Sequence, residues 1–169
     1  MNTRVKDIIT KLYRPPEHGR RVFALSRGDA EKIPLITGVA VVSITAPEKA
    51  PAQLPAYEYL LRLSFADVDF LGEISARAAE KLPAAMTRQD AEAILGFVQA
   101  LPSSIHSLIV HCEGGFSRSA GVVKALEELY GYEVEEARLT QANPSVVRTL
   151  LDIAGQKNET GKKRKNKPE

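Results

Sequence analysis

One stretch limits the architectures open to this chain more than any other. Ser107-Leu108-Ile109-Val110 is an apolar run, His111-Cys112-Glu113-Gly114-Gly115-Phe116-Ser117-Arg118-Ser119 follows it, and Ala120 to Tyr130 reads as a helix. The order is buried strand, short glycine-bearing loop, helix. A loop in that setting turns its backbone N–H groups inward and meets the positive end of a helix dipole. Such a unit cradles an oxyanion. It predicts an α/β fold, with a small, mostly parallel central sheet flanked by helices. Ligands bind beyond the carboxyl ends of strands in such sheets, so the strand before the loop should be central.

The side chains in the stretch specify the chemistry. The thiolate form of cysteine is the nucleophile, and a nearby cation or helix N-terminus favours it. Cys112 has both within its loop. Arg118 offers a planar fork of donors that matches two phosphoryl oxygens. Ser119 is placed to donate its hydroxyl toward the sulfur, before attack and as the sulfur leaves again. His111 is placed to orient the loop through its ring nitrogens. Glu113, Gly114, Gly115, Phe116 and Ser117 would supply the amides that hold the phosphate, together with Arg118. A lone cysteine is most often a small buried hydrophobe, and Gly-Gly is most often a turn. Arg118 and Ser119 at their spacing from Cys112 change that balance, because all three serve one oxyanion.

Here the sequence resembles a known family. Cys-x5-Arg, preceded by His and followed by Ser, is the signature of the cysteine-dependent protein tyrosine phosphatases, including the dual-specificity branch, and HCEGGFSRS matches it. The compact size looks like small bacterial members of that branch. The resemblance implies a two-step hydrolysis of phosphomonoesters through a cysteinyl-phosphate. It also implies an aspartate acid on a loop that follows a strand upstream of the cysteine. An alkoxide or phenolate leaves poorly unless protonated. Tyr59-Leu60-Leu61-Arg62-Leu63-Ser64-Phe65 reads as a strand and runs into Ala66-Asp67-Val68-Asp69. Asp67 is the first choice for the acid, Asp69 the second and Glu73 a distant third. Either aspartate could equally cap a turn. A segment inserted at 70–83 would separate this loop from the next helix.

The other elements follow from pattern. Val5, Ile8, Ile9 and Leu12 predict a helix over 3–12, closed by Pro15-Pro16. Residues 21–26 read as a strand, and 28–32 as a turn or a single helical turn. The β-branched run 38–44 reads as a strand buried on both faces, and the three prolines of 47–55 mark a loop. Thr87-Arg88-Gln89-Asp90 resembles a capping box opening a helix whose buried face is Ala91, Ile94, Leu95, Val98 and Leu101. Short helices are expected over 134–141 and 146–154. In phosphatases of this type a similar asparagine near the last helix supports packing, which makes Asn143 structural. His106 reads as a surface residue, and His18 as part of a turn.

Three scattered histidines and one cysteine make no metal-ligand set, and no cofactor is expected, because nucleophile and clamp both come from the chain. The length of 169 residues suits one domain over 1–156. No run of eighteen apolar residues predicts a membrane span. The N-terminus lacks an apolar signal core, and the single cysteine allows no internal disulfide, which together favour the cytoplasm. Residues 157–169 hold six Lys/Arg against two Glu and lack apolar periodicity. They read as a disordered, solubilising tail, or as an electrostatic arm for nucleic acid.

The expected partner is a phosphorylated protein or peptide, with phosphotyrosine leading, whose phosphate or a similar oxyanion fills the loop. Residues 113–117 carry no Lys or Arg and one Glu, which argues against polyanionic substrates. The alternatives are an RNA 5′-phosphatase, a phosphoinositide phosphatase and a phospho-residue binding module without turnover.

Overall fold

The computed structural model describes residues 2–165. Four strands, β1 (Arg21–Ser26), β2 (Val39–Thr45), β3 (Leu60–Ser64) and β4 (Ser107–Cys112), form one sheet in the order β1-β4-β2-β3. Every pairing is parallel. β4 therefore lies inside the sheet, with Leu25 of β1 and Ser43 of β2 in register on either side of His111. Six helices surround the strands: α1 (Thr3–Leu12), α2 (Arg27–Ala30), α3 (Ala76–Lys81), α4 (Arg88–Ala100), α5 (Arg118–Tyr130) and α6 (Pro144–Lys165).

Strand alternation divides the core in two. Val22, Ala24, Val42, Leu108, Val110 and Cys112 point to the face covered by α4, α5 and α6. Phe23, Leu25, Val41 and Ile109 point to the face covered by α1 and the segment around Ile33, Ile36 and Tyr57. β2 is buried at all seven positions, as its β-branched run predicts. Side-chain caps begin the helices where the sequence suggests. Asn2 accepts from the Val5 amide, and Thr87 and Asp90 close a full capping box at α4. α5 ends at Gly131, which takes the left-handed conformation open to glycine.

Three expectations need correction. The helix expected over 134–141 is only a single 3-10 turn, Glu136–Arg138. The preceding backbone is held extended along β1: the Val22 amide donates to Glu133 O at 2.9 Å and the Glu133 amide to Arg20 O at 2.9 Å. Those pairings hold the residue directly before the expected helix. The last helix is longer than expected. It starts at Pro144, continues through Lys165 and so takes up residues 157–165 of the supposed disordered tail; residues 166–169 lie outside the described residues. Once Val146, Leu150 and Ile153 dock the first turns, nucleation is complete, and each further Lys, Gln or Glu extends the helix at little cost. His106 is half-buried rather than on the surface. Its Nδ1 lies 2.8 Å from Ser107 Oγ, and its ring covers Gly38, where a Cβ would meet His106 Cδ2 at 2.5 Å.

Candidate active site

β4 delivers Cys112 to the carboxyl end of the sheet, and α5 starts at Arg118, so the intervening loop spans strand end and helix start. Two features fix its path. The Arg27 amide donates to Glu113 O at 3.2 Å. Gly115 has φ of 78° and passes so close to β1 that a Cβ would meet Ser26 N at 2.5 Å. Any side chain there is excluded twice, by the dihedral and by the contact. The loop amides of Gly114, Phe116 and Ser117 donate to no other backbone group among the described residues.

The Cys112 sulfur is buried and lies under this loop. Ser119 Oγ is 3.1 Å from it, and the Gly115 amide donates to it at 3.3 Å. Arg118 is buried too, and one terminal nitrogen donates to Phe65 O at 2.9 Å. Its Nε is buried with no hydrogen-bond partner among the described residues. A buried guanidinium N–H left unpaired is costly.

Arg118, Asp67 and Glu113 line one cavity of about 580 Å³. Its other walls are Ala46–Lys49 after β2, and Ala66, Glu80, Lys81 and Ala84. Pro47 of the 47–55 loop and Glu80 and Lys81 of the inserted 70–83 segment thus both contribute to the cleft. Cys112 itself does not line this cavity; its buried sulfur is tied to the loop by Ser119 Oγ and the Gly115 amide.

The two aspartates separate clearly. Asp67 Oδ1 accepts from Ser117 Oγ at 2.7 Å and from Asn143 Nδ2 at 2.9 Å, at the cavity. Asp69 Oδ1 accepts from Ser145 Oγ at 2.8 Å and from the Leu71 amide at 3.1 Å, which makes it a turn cap. Glu73 lies on the exposed part of the insertion. Sequence reasoning undervalued Asn143 and Ser145. Asn143 Nδ2 also donates to Val68 O at 3.0 Å, while its Oδ1 accepts from the Ser145 and Val146 amides. Ser145 Oγ accepts from the Phe70 amide at 2.8 Å. Together they clamp segment 67–70 to the start of α6. The Asn-Pro-Ser run was visible as a helix start; its contact partner, 76 residues away, was not.

His111 points to the opposite sheet face from Cys112. Its Nδ1 lies 3.3 Å from Cys112 O and its Nε2 2.6 Å from Ser43 Oγ. A carbonyl accepts only, so Nδ1 carries the proton and Nε2 accepts from Ser43. His111 thus holds the strand end and does not reach the cavity. Burial holds its ring below the usual 6.5, against a backbone hydrogen bond at Cys112 that works the other way. The folded state therefore resists the proton that the unfolded chain takes up. Stability is full above the ordinary value and falls as pH drops below it. The urea midpoint should decrease between about pH 7.5 and about pH 5.5, and decrease less in His111→Gln.

Glu113 is exposed and faces away from the sulfur toward Lys49, at 3.2 Å, and Arg27, at 4.0 Å. Phe116 is 51% exposed, an apolar side chain on a polar loop. Among the described residues no cluster of His, Cys, Asp and Glu is arranged to hold a metal, and no helix is long and apolar enough to cross a membrane. The fold and the site define an α/β protein with a glycine-bearing loop at the end of an interior parallel strand, between a buried thiol and a buried guanidinium. No protein-family model, curated protein or solved structure matches the chain.

Proposed function

We propose that this protein hydrolyses phosphomonoesters on proteins, phosphotyrosine foremost, in the manner of the cysteine-dependent phosphatases its loop resembles. The observation that carries this reading is the convergence of Cys112, the unpaired Arg118 Nε and Asp67 around one loop. In the first step the Cys112 thiolate attacks phosphorus in line, and the P–O bond to the leaving group breaks. Arg118 and the loop amides hold the equatorial oxygens. Asp67, protonated, gives its proton to the leaving oxygen. In the second step a water loses a proton to the Asp67 carboxylate and attacks the cysteinyl-phosphate, releasing phosphate and the thiolate. Ser119, hydrogen-bonded to the sulfur, stabilises the thiolate as it departs.

The charge at the cleft favours a protein phosphomonoester over a polyanion. Arg118, Lys49 and Lys81 face Glu48, Asp67, Glu80 and Glu113, and Lys49 is already paired with Glu113. A phosphoinositide headgroup or an RNA triphosphate would meet this acidic excess, whereas one phosphoryl dianion needs only the loop.

The test is steady-state turnover of a phosphopeptide panel alongside triphosphate RNA and phosphoinositide, with Cys112→Ser as blank. Peptide turnover well above the other two classes is expected; release from RNA alone would move the reading there. The acid is tested by leaving group. Asp67→Asn should lower kcat about a hundredfold or more on phenyl phosphate, and much less on an ester whose leaving group needs no proton. Asp69→Asn should leave that difference untouched. The reverse ranking would transfer the role to Asp69.

A further inference from the structure

A second cavity, of about 230 Å³, lies against the same loop on its β1 side. Gly114, Gly115 and Phe116 form its wall on the loop side, and Arg4, Arg138 and Asp29 supply its charge. Arg4 comes from α1. One of its terminal nitrogens donates to Ala24 O at 2.9 Å and to Glu135 Oε1 at 2.8 Å, which locks the fork in place. Its Nε is buried and has no partner among the described residues. Only Arg118 shares that condition among the described side chains. Arg138, from the Glu136–Arg138 turn, is half-buried and forms no ion pair among the described residues. Asp29, the acidic member, already has Lys32 at 3.9 Å and Asn2 at 3.3 Å.

Two guanidinium groups, one with a buried N–H unpaired and one with no carboxylate, converge on a small space one loop away from the proposed phosphate site. We propose that this is a second oxyanion subsite, which takes a carboxylate or a second phosphoryl group carried by the substrate close to the reacting phosphate. The space suits a small anionic group. Planar forks match both oxyanions. The half-exposed Phe116 ring lines this cavity, where a peptide reaching into it would cover the ring. The acidic balance of the first cleft and the basic balance of the second divide the labour: one admits a single phosphate, the other selects what flanks it.

This inference rests on the proposed function only for the identity of the first anion, and its test does not require turnover. Calorimetry on Cys112→Ser protein would compare three peptides: phosphotyrosine with neutral flanks, the same with glutamates at the flanks, and the same with a neighbouring phosphoserine. At least one acidic peptide should bind about tenfold tighter than the neutral one, and which one does so distinguishes carboxylate from phosphoryl. The preference should vanish in the Arg138→Gln background; Arg4→Gln should act alike, but it also breaks a contact to β1, so Arg138 decides. Equal affinity for the three peptides, or a preference that survives Arg138→Gln, overturns the subsite. A preference in protein whose unsubstituted form hydrolyses none of the peptides keeps the subsite and removes the hydrolase reading.

Discussion

Cys112→Ser should lower kcat about ten-thousand-fold or more while phosphopeptide binding persists. The hydroxyl fits the space of the thiol and can share a hydrogen bond with Ser119 Oγ, which stands 3.1 Å from the sulfur. The loop is held by contacts that do not involve the sulfur: Arg27 to Glu113, and the close passage of Gly115 over Ser26. Its shape, and the amides that grip phosphate, should therefore survive. What disappears is the nucleophile, because a serine hydroxyl is not ionised near neutral pH and no base stands beside it here to take its proton. Rates on a fluorogenic phosphate ester and calorimetry with a phosphotyrosine peptide read the two effects separately. Turnover persisting at a tenth of the original rate would remove Cys112 from the role of nucleophile.

Arg118→Lys should be nearly as damaging, with kcat lowered about a hundred- to a thousandfold. Charge is conserved, so a purely Coulombic role would survive the change. The proposed mechanism gives the guanidinium a second task besides the one bond the structure shows. One nitrogen donates to Phe65 O at 2.9 Å, and Nε remains buried without a partner beside the loop. Phe65 lies directly after β3 and two residues before Asp67, so that bond also ties the aspartate's segment to the start of α5. A lysine ammonium is a single point on a flexible stem. It can reach Phe65 O or a phosphoryl oxygen, but not both. The loss should therefore be greatest for esters with poor leaving groups, where Asp67 must be in place. The urea midpoint of the variant checks that the buried change has not unfolded the chain. Near-normal kcat in a folded Arg118→Lys protein would contradict the clamp.

The elements whose identity depends on local pattern were readable beforehand. The apolar spacing of Val5, Ile8 and Leu12, the capping box at Thr87 and the β-branched run of β2 each produced the element expected. The loop motif was readable for the same reason: Cys112, Arg118 and Ser119 are close in sequence, and strand–loop–helix geometry alone brings them together. Failures came where distant chain competes with local preference. Acidic Glu135 and Glu136 suit the start of a helix over 134–141, yet Glu133 is drawn to β1 and only one turn forms. Basic residues 157–165 lack an apolar face, yet a docked α6 extends through them.

Asp67 and Asp69 show the limit most clearly. Both follow the same strand and both suit a turn, so no local rule ranks one decisively above the other. Asn143 and Ser145 separate them by taking one carboxylate each, Asp67 beside Ser117 and Asp69 away from the cavity. His111 gives a similar lesson. Its Nδ1 lies 3.3 Å from Cys112 O at the start of the loop, and the strand's alternation turns the ring to the other sheet face, onto Ser43, a partner 68 residues away.

By itself the order of residues determined the α/β class, the strand–loop–helix unit and the placing of a thiol and a guanidinium at the two ends of one loop, because each depends on neighbours within a few positions. Tertiary structure decided which carboxylate faces the cavity, how Asn143 holds it there, and that Arg4 and Arg138 meet behind Phe116. Those contacts join segments up to about 130 residues apart, and their formation depends on how the helices pack on the sheet, a quantity that no local spacing encodes.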